Sequence, residues 1–365
     1  MHPDSDTAIA LRYRLLLTLG LGISAPGCFL VPGNCENPSY TTTVSLDALN
    51  GDSGDTAQDT APSLDACPTD GQQASELLHA AGEGWCNTSD LVLISESGRE
   101  CTYEYSCYVC CGYGRPFLDA SGAPALAETA PNGDWAQGTH APRVQDLTEA
   151  ERAEIGAYWL QNARAEHSSV AGFHRFTLDL LAHGAPPELI ARAQAAAAQE
   201  LRHALDCFGL ASRYLGRPMG PGALDMGGHA VIATSVAQLA AWTARDGAVG
   251  ETLAAYLAER ALAETTDPAV RAVLERIVRD ETEHAELAWA TIQWAIDLGG
   301  VEVREAVRAV FDQLGEPKAH TAAWSAHFAR HGVPCPELER RAADRCIAQV
   351  ILPVAEALLG RALAA

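Results

Sequence analysis

The sequence predicts an all-α protein, a four-helix bundle with extra C-terminal helices, preceded by a small cysteine-rich module. From residue 146 onward, long stretches rich in Ala, Leu, Glu and Arg carry apolar residues at helical spacing. Breaks rich in Gly and Pro divide these stretches into four long helices. A glutamate stands on the apolar face of each helix, where a hydrophobic residue belongs.

The length, composition and net charge of the chain limit the classes of function that it can have. At 365 residues and 48% hydrophobic content, the chain can bury a large core and form more than one unit. Its formal net charge of −22 argues against nucleic acid or an anionic membrane surface as a partner, since both attract basic patches.

The N-terminus has the pattern of an export signal. Arg12 and Arg14 precede an apolar run at residues 15–23, which is too short to span a bilayer. Ala25-Pro26-Gly27 offers small residues before Cys28, and this resembles a bacterial lipoprotein box. We therefore predict a signal peptide over 1–27, a lipid on Cys28 as the only link to a membrane, and export to the periplasm or outer membrane. Residues 28–66 are acidic and aperiodic, and they predict a disordered tether.

Cysteine usage fits an oxidising compartment. Six of the eleven cysteines fall within a predicted disulfide module at 67–118: Cys67, Cys86, Cys101, Cys107, Cys110 and Cys111. The Cys107-x-x-Cys110 pair also suits a metal knuckle, but such a site needs a second pair and none is present. Residues 119–145, rich in Pro, Gly and Ala, predict a linker. A disulfide between Cys335 and Cys346 is a further expectation.

Capping signals bound the predicted helices of the bundle, which occupies 146–300. Thr148 and Glu151 form a capping box at the first helix, and Asp267-Pro268 starts the fourth. The helices are expected at about 148–182, 187–214, 229–263 and 268–299, so the connections run short, long, short. Residues 301–365 predict three more amphipathic helices, which could cover the bundle or form a homodimer face. His331 is expected to face solvent there.

The four inward glutamates point to a metal centre. They are Glu166, Glu200, Glu251 and Glu281, and two of them begin Glu-x-x-His motifs that end at His203 and His284. Positions i and i+3 share a helix face, so each carboxylate and imidazole point the same way. Four buried carboxylates need compensating positive charge, and no Arg or Lys lies on the inward stripes. A dinuclear metal centre supplies that charge.

The axial positions of the glutamates agree with this interpretation. Glu166 lies 17 residues before the first turn at His183, and Glu200 lies 13 after Pro187. In the second hairpin, the corresponding separations are 14 and 13 residues. Each lone glutamate therefore meets its partner motif within about one helical turn. Glu259 and Glu264 are alternatives to Glu251 but are interpreted as solvated. Asp280, Glu283 and Glu286 are expected on outward positions, as surface charge or as support for the ligands.

The spacing of these motifs resembles that of the ferritin-like superfamily of di-iron or di-manganese carboxylate proteins. The strings 166–171 (EHSSVA) and 249–254 (VGETLA) are further similar to uncharacterised exported bacterial ferritin-like proteins. The resemblance implies terminal carboxylates at Glu166 and Glu251, bridging carboxylates at Glu200 and Glu281, and one histidine per metal. The implied cofactor is two iron ions, with manganese as the alternative.

Two functions follow as hypotheses. The first is an oxidoreductase (oxidase, oxygenase or peroxide scavenger) that uses O₂ or peroxide together with an unknown reductant or small substrate. The second is a non-enzymatic, exported metal-binding or surface-interaction protein, in which the metal is structural.

Overall fold

A computed structural model describes residues 3–20, 39–45, 67, 92–97, 100–106, 114–118, 124–136, 140–227, 231–314, 328–334 and 336–361. The chain divides into two compact units, one of residues 34–111 and one of the remainder. The described residues are mostly helical, as predicted.

The larger unit contains eight α-helices among its described residues. They are α1 (Pro3–Thr18), α2 (Glu149–Ala182), α3 (Pro187–Leu215), α4 (Val236–Trp242), α5 (Gly250–Glu264), α6 (Pro268–Phe311), α7 (Pro336–Cys346) and α8 (Leu352–Arg361). Helix α2 packs along α3, while α4 and α5 pack along α6, and α3 joins the two pairs by packing on α6.

Capping chemistry sets where these helices start. The Thr148 hydroxyl accepts from the Glu151 backbone N–H, and the Glu151 carboxylate accepts from the Thr148 N–H, so the predicted capping box is confirmed. The Asp267 carboxylate likewise accepts from the N–H groups of Ala269 and Val270 at the start of α6.

The third helix differs from its expected bounds, whereas the fourth breaks where its end was expected. The third starts at Val236 rather than near His229, because Ser235 caps it there. Between α4 and α5, residues Thr243–Val249 form a π-helical turn around Gly247. The fourth helix breaks at Gly300, whose φ of 62° and ψ of −130° are not helical, so the expected end at Gly299-Gly300 agrees with the structure; a second helical stretch follows within α6 and ends at Phe311.

The helices enclose three apolar clusters. The largest joins α5 and α6 to the C-terminal helices, and Trp289 stacks on Phe311 within it. Leu11, Leu15 and Leu16 of α1 are buried in the same cluster, so part of the predicted export signal packs as a core helix. Export stays a prediction, and its cleavage site and Cys28 lie outside the described residues. No helix in the described part of the chain is both long and apolar enough to cross a membrane.

The described parts of the predicted linker pack on the larger unit. Arg164 Nε donates to the Ala127 carbonyl at 2.9 Å. Strands β4 (Thr129–Ala130) and β5 (Gly220–Pro221) pair antiparallel, and the Trp135 ring meets the His167 ring edge-on.

The smaller unit contains strands β1 (Ser39–Ser45), β2 (Val92–Ser97) and β3 (Glu100–Ser106), ordered β1-β3-β2 and antiparallel. A disulfide joins Cys67 to Cys101, which agrees with the predicted use of cysteines in this region. The other four cysteines of the predicted module, and the tether except for β1, lie outside the described residues.

Two expectations for the C-terminal region are wrong. His331 is only 3% exposed, because its Nδ1 pairs with the Tyr214 hydroxyl at 2.8 Å and it lies in a short 3₁₀ turn packed on the helices. Cys346 is a free, buried thiol, so it does not form a disulfide with Cys335.

Candidate metal centre

The structure brings all six predicted ligand residues together. Their side chains come from α2, α3, α5 and α6 and form two overlapping groups. One group is Glu166, Glu200, His203 and Glu281, and the other is Glu200, Glu251, Glu281 and His284. Within each group the candidate ligand atoms all lie within 4.8 Å of one another. Glu200 and Glu281 belong to both groups, which is the arrangement of two ions that share two carboxylates.

The shared carboxylates lie between the two histidines. His203 Nδ1 is 3.3 Å from Glu281 Oε1 and 3.8 Å from Glu200 Oε2. His284 Nδ1 is 3.1 Å from Glu200 Oε1 and 3.5 Å from Glu281 Oε2. Each Nδ1 atom therefore faces one oxygen of each shared carboxylate. Glu166 Oε2 completes the first group at 3.6 Å from His203 Nδ1.

The cluster is shielded from solvent on nearly every side. Glu200, His203, Glu251, Glu281 and His284 are at most 2% exposed. The Glu166 side chain is 17% exposed, so it forms the most accessible edge of the cluster.

Two polar residues outside the cluster orient the histidines. His203 Nε2 lies 3.1 Å from Asp280 Oδ2, and His284 Nε2 lies 2.9 Å from Gln199 Oε1. An oxygen acceptor at each outer nitrogen favours the tautomer that carries its proton on Nε2, and in that neutral tautomer Nδ1 keeps its lone pair for a metal. Asp280 was expected on an outward position, but it is 1% exposed.

These supports follow a pattern that sequence reasoning missed. Gln199 directly precedes Glu200 on α3, yet it holds the histidine of α6. Asp280 directly precedes Glu281 on α6, yet it holds the histidine of α3. A polar residue just before each Glu-x-x-His motif was the available signal, and only the antiparallel packing of α3 on α6 shows that the support crosses between helices.

The buried atoms that face the cluster lack hydrogen-bond partners, and this tests whether a metal fits. Among the described residues, no hydrogen bond reaches His203 Nδ1, His284 Nδ1, Glu281 Oε2 or either carboxylate oxygen of Glu200 and Glu251. Unsatisfied buried polar atoms are costly and rare, and here they share one small volume. Nitrogen and carboxylate-oxygen donors of this kind suit iron, manganese or zinc. The residues therefore fit a pair of metal ions.

The buried carboxylates and histidines of the cluster shift one another's pKa values. Burial raises the pKa of Glu166 and Glu251 well above the usual range, and neighbouring carboxylates add to the effect. Burial would also raise the pKa of Glu281, but the charge of His284 and the close approach of His203 outweigh it and lower that pKa. For His284, burial acts to lower the pKa, yet Glu281 and Glu200 raise it to about 9. Without metal, protons held by the histidines compensate part of the carboxylate charge.

A buried guanidinium group beside the cluster corrects the sequence-based charge count. Arg115, which lies outside the four long helices, is 1% exposed, and its Nε lies 3.9 Å from Glu251 Oε1. A second buried arginine, Arg175 on α2, is 9% exposed and lies 3.6 Å from Asp246 Oδ2, away from the six cluster residues. The sequence did not indicate Arg115, because it lies in a segment with no helical periodicity.

The alternative residues stay outside the cluster. Glu259 is partly buried and accepts a hydrogen bond from the Thr7 hydroxyl, while Glu264 is exposed. Two further histidines of α2 also lie outside the cluster: His174 is exposed, with its Nδ1 2.7 Å from the Val170 carbonyl oxygen, and the His167 ring lies edge-on against Trp135. The structure therefore selects Glu251 from the acidic residues of the third helix.

A surface pocket of about 340 Å³ lies behind one histidine. Its lining includes His284, Gln199, Arg192 and Glu283. These residues place the pocket on the side of the Gln199–His284 hydrogen bond. The pocket meets the cluster only at His284, which is 2% exposed, so the Glu166 edge is the more accessible side.

Comparisons with protein-family models, with curated proteins and with solved structures find no match to this chain. The functional argument therefore depends on the geometry of the cluster.

Proposed function

We propose that this protein is a ferritin-like four-helix bundle that holds a dinuclear metal centre, of two irons or two manganese ions, and carries out redox chemistry on O₂ or peroxide. The observation that carries the proposal is the set of unsatisfied donor atoms that converge from four helices. Four buried carboxylates beside two histidines are costly to leave with unbalanced charge, and bound cations would remove that cost.

The two overlapping groups support the proposed ligand roles. Glu200 and Glu281 belong to both groups and would bridge the two ions, since each carboxylate offers one oxygen to either side. Glu166 and His203 would complete one ion's ligands, and Glu251 and His284 the other's. A bound iron pair supplies the electrons that reduce O₂ or peroxide.

Residues of the chain orient the two histidines, exclude water from the cluster and leave one side accessible to a small molecule. Asp280 and Gln199 hold the two imidazole rings with Nδ1 directed inward. The buried faces of α2, α3, α5 and α6 exclude water from the cluster, which strengthens its electrostatic interactions. Glu166, as the most exposed of the six, marks the side from which a small molecule would reach the metals.

Metal content and oxidation kinetics test the proposal. The purified protein is incubated anaerobically with Fe²⁺, desalted, analysed for bound iron, and exposed to O₂. We expect two irons per chain and oxidation of Fe²⁺ faster than in buffer. The matched control is Glu264→Gln, which removes an exposed carboxylate from α5 and should change neither result. Failure to bind more than one ion would refute the dinuclear centre.

A structural metal site is the second candidate, because five of the six ligands are almost completely buried. Such a site would stabilise the fold without turnover. Two bound ions that raise the melting temperature, combined with Fe²⁺ oxidation no faster than in buffer, would favour this function over the redox function.

A further inference from the structure

The segment Gly114–Pro116 crosses three helical elements at distances that only glycine allows. A Cβ at Gly172 of α2 would lie 2.1 Å from the Arg115 carbonyl oxygen, and one at Gly250 of α5 would lie 2.4 Å from the Gly114 carbonyl oxygen. A Cβ at Gly247 of the π turn would lie 2.1 Å from Arg115 Nη2. Real Cβ contacts are not this short, so each glycine forms part of a slot for this segment.

This slot places the buried guanidinium of Arg115 beside the cluster. The Arg115 guanidinium carbon lies 3.9 Å from the centroid of the Phe176 ring and 5.4 Å from that of Phe173. Its Nε has no hydrogen-bond partner among the described residues, and the nearest Glu251 oxygen is 3.9 Å away. A pair formed only for stability would gain most from short, bidentate hydrogen bonds. This contact lacks them, so the guanidinium acts on Glu251 mainly through its charge.

The charge count shows what such a cation changes. Four carboxylates and two divalent ions sum to zero, Asp280 adds one negative charge beside His203, and Arg115 adds one positive charge beside Glu251, so loss of Arg115 leaves net negative surroundings. Each electron removed from the metals adds another positive charge in a dry interior, where Coulomb interactions are weakly screened. A fixed cation therefore makes oxidation of the metals less favourable.

We propose that the charge of Arg115, held beside Glu251, biases the centre toward its divalent state and thereby raises its reduction potential. This inference rests on the proposed function.

Arg175 offers a matched control. It is also a buried arginine, but its guanidinium lies against Asp246 at 3.6 Å and Asp179 at 3.9 Å and over the Trp242 ring. Two carboxylates already balance its charge, and it contacts none of the six cluster residues in the described structure. Loss of Arg175 should therefore destabilise the fold about as much as loss of Arg115. Its effect on the reduction potential of the metals should be smaller.

The test is an anaerobic redox titration of the iron-loaded protein, followed by its EPR and absorption signals. For Arg115→Gln, we expect the ratio of oxidised to reduced protein at a fixed potential to increase at least tenfold. For one electron, this corresponds to a reduction potential lower by about 59 mV. Arg115→Lys keeps the charge and should stay near wild type, and Arg175→Gln should shift the ratio less than threefold. An unchanged ratio in Arg115→Gln would overturn the inference, as would an equal shift in Arg115→Lys.

A second readout needs no redox chemistry. Zn²⁺ is redox-inert, and its binding to metal-free protein is measured by calorimetry. If Arg115 acts as a repulsive charge, Arg115→Gln should bind Zn²⁺ as tightly as wild type or up to tenfold more tightly. Tenfold weaker binding would show that Arg115 merely holds Glu251 in place, and would refute the charge argument.

Gly172→Ala is a second variant that tests the same proposal if Arg115→Gln does not fold. Its Cβ displaces the segment without removing the charge from the chain, so the ratio should shift in the same direction. An unshifted ratio in folded Gly172→Ala would count against the inference. If wild type itself binds no metal ions, the proposed function fails and the inference with it, whereas two bound ions with unshifted variants refute the inference alone.

Discussion

The hydrogen bond between His203 and Asp280 gives the sharpest test of how the cluster is built. Asp280→Asn keeps the size of the side chain but removes the negative charge 3.1 Å from His203 Nε2. Burial would raise the pKa of Asp280, but His203 and Arg279 outweigh burial and lower it, so the wild-type group is ionised at neutral pH. The variant therefore loses a charged acceptor that fixes the imidazole orientation.

The expected magnitude follows from mass action. Loss of such an outer hydrogen bond costs about ten- to a hundredfold in metal affinity. At Mn²⁺ one hundred times the wild-type Kd, binding stabilises the fold by about 2.7 kcal/mol, and in the variant this falls to roughly 0.4–1.4 kcal/mol. For a unit of this size, the metal-induced rise in melting temperature should shrink by about 3–9 °C.

Thermal melts with and without Mn²⁺ measure this difference. The matched control is Asp297→Asn, an exposed aspartate of the same helix that pairs with Gln293. The Asp297→Asn variant should keep the full metal-induced rise in melting temperature. If Asp280→Asn also keeps the full rise, His203 does not bind metal through Nδ1 in the way the structure indicates, and the reasoning fails.

Three further outcomes are expected. Glu281→Gln removes a carboxylate shared by both groups, so bound metal should fall from two ions per chain to fewer than one, as measured by elemental analysis. Because the pKa of His284 is raised to about 9, binding must displace its proton below that pH, and Mn²⁺ affinity should rise with pH by about tenfold per unit for this proton alone until about pH 9, where the contribution of His284 levels off. Calorimetry across this range checks it, and a flat profile would contradict the protonated state of His284. Replacing Cys67 and Cys101 by Ser opens a loop with a sequence separation of 34, which should cost the smaller unit about 3–4 kcal/mol. Limited proteolysis should then cut that unit faster, while metal binding stays unchanged; equal cleavage rates would show that the disulfide contributes little.

The local features of the larger unit follow directly from its sequence. Thr148, Asp267 and the Gly/Pro breaks set helix starts through nearby hydrogen bonds and backbone restrictions. Helical periodicity alone placed Glu166, Glu200, Glu251 and Glu281 on inward faces. Matched distances from the turns then predicted that they meet, because rise per residue is a constant of the helix.

Other features depend on contacts between elements distant in the chain. Arg115 reaches Glu251 through a slot that needs glycine on three separate elements, and no local pattern encodes such an approach. Gly300 ends a helix locally, as its positive φ shows, and only the tertiary structure reveals that a second helical stretch follows and buries Val303 and Phe311 in the same core.

The sequence by itself determined which side chains turn inward on each helix, since spacing along one helix decides that. Only the tertiary structure decided that Gln199 supports His284, that Asp280 supports His203, and that a buried arginine joins the charge balance. The physical reason is that helix faces arise from local geometry, whereas hydrogen bonds and charge compensation in a core depend on which distant segments pack together.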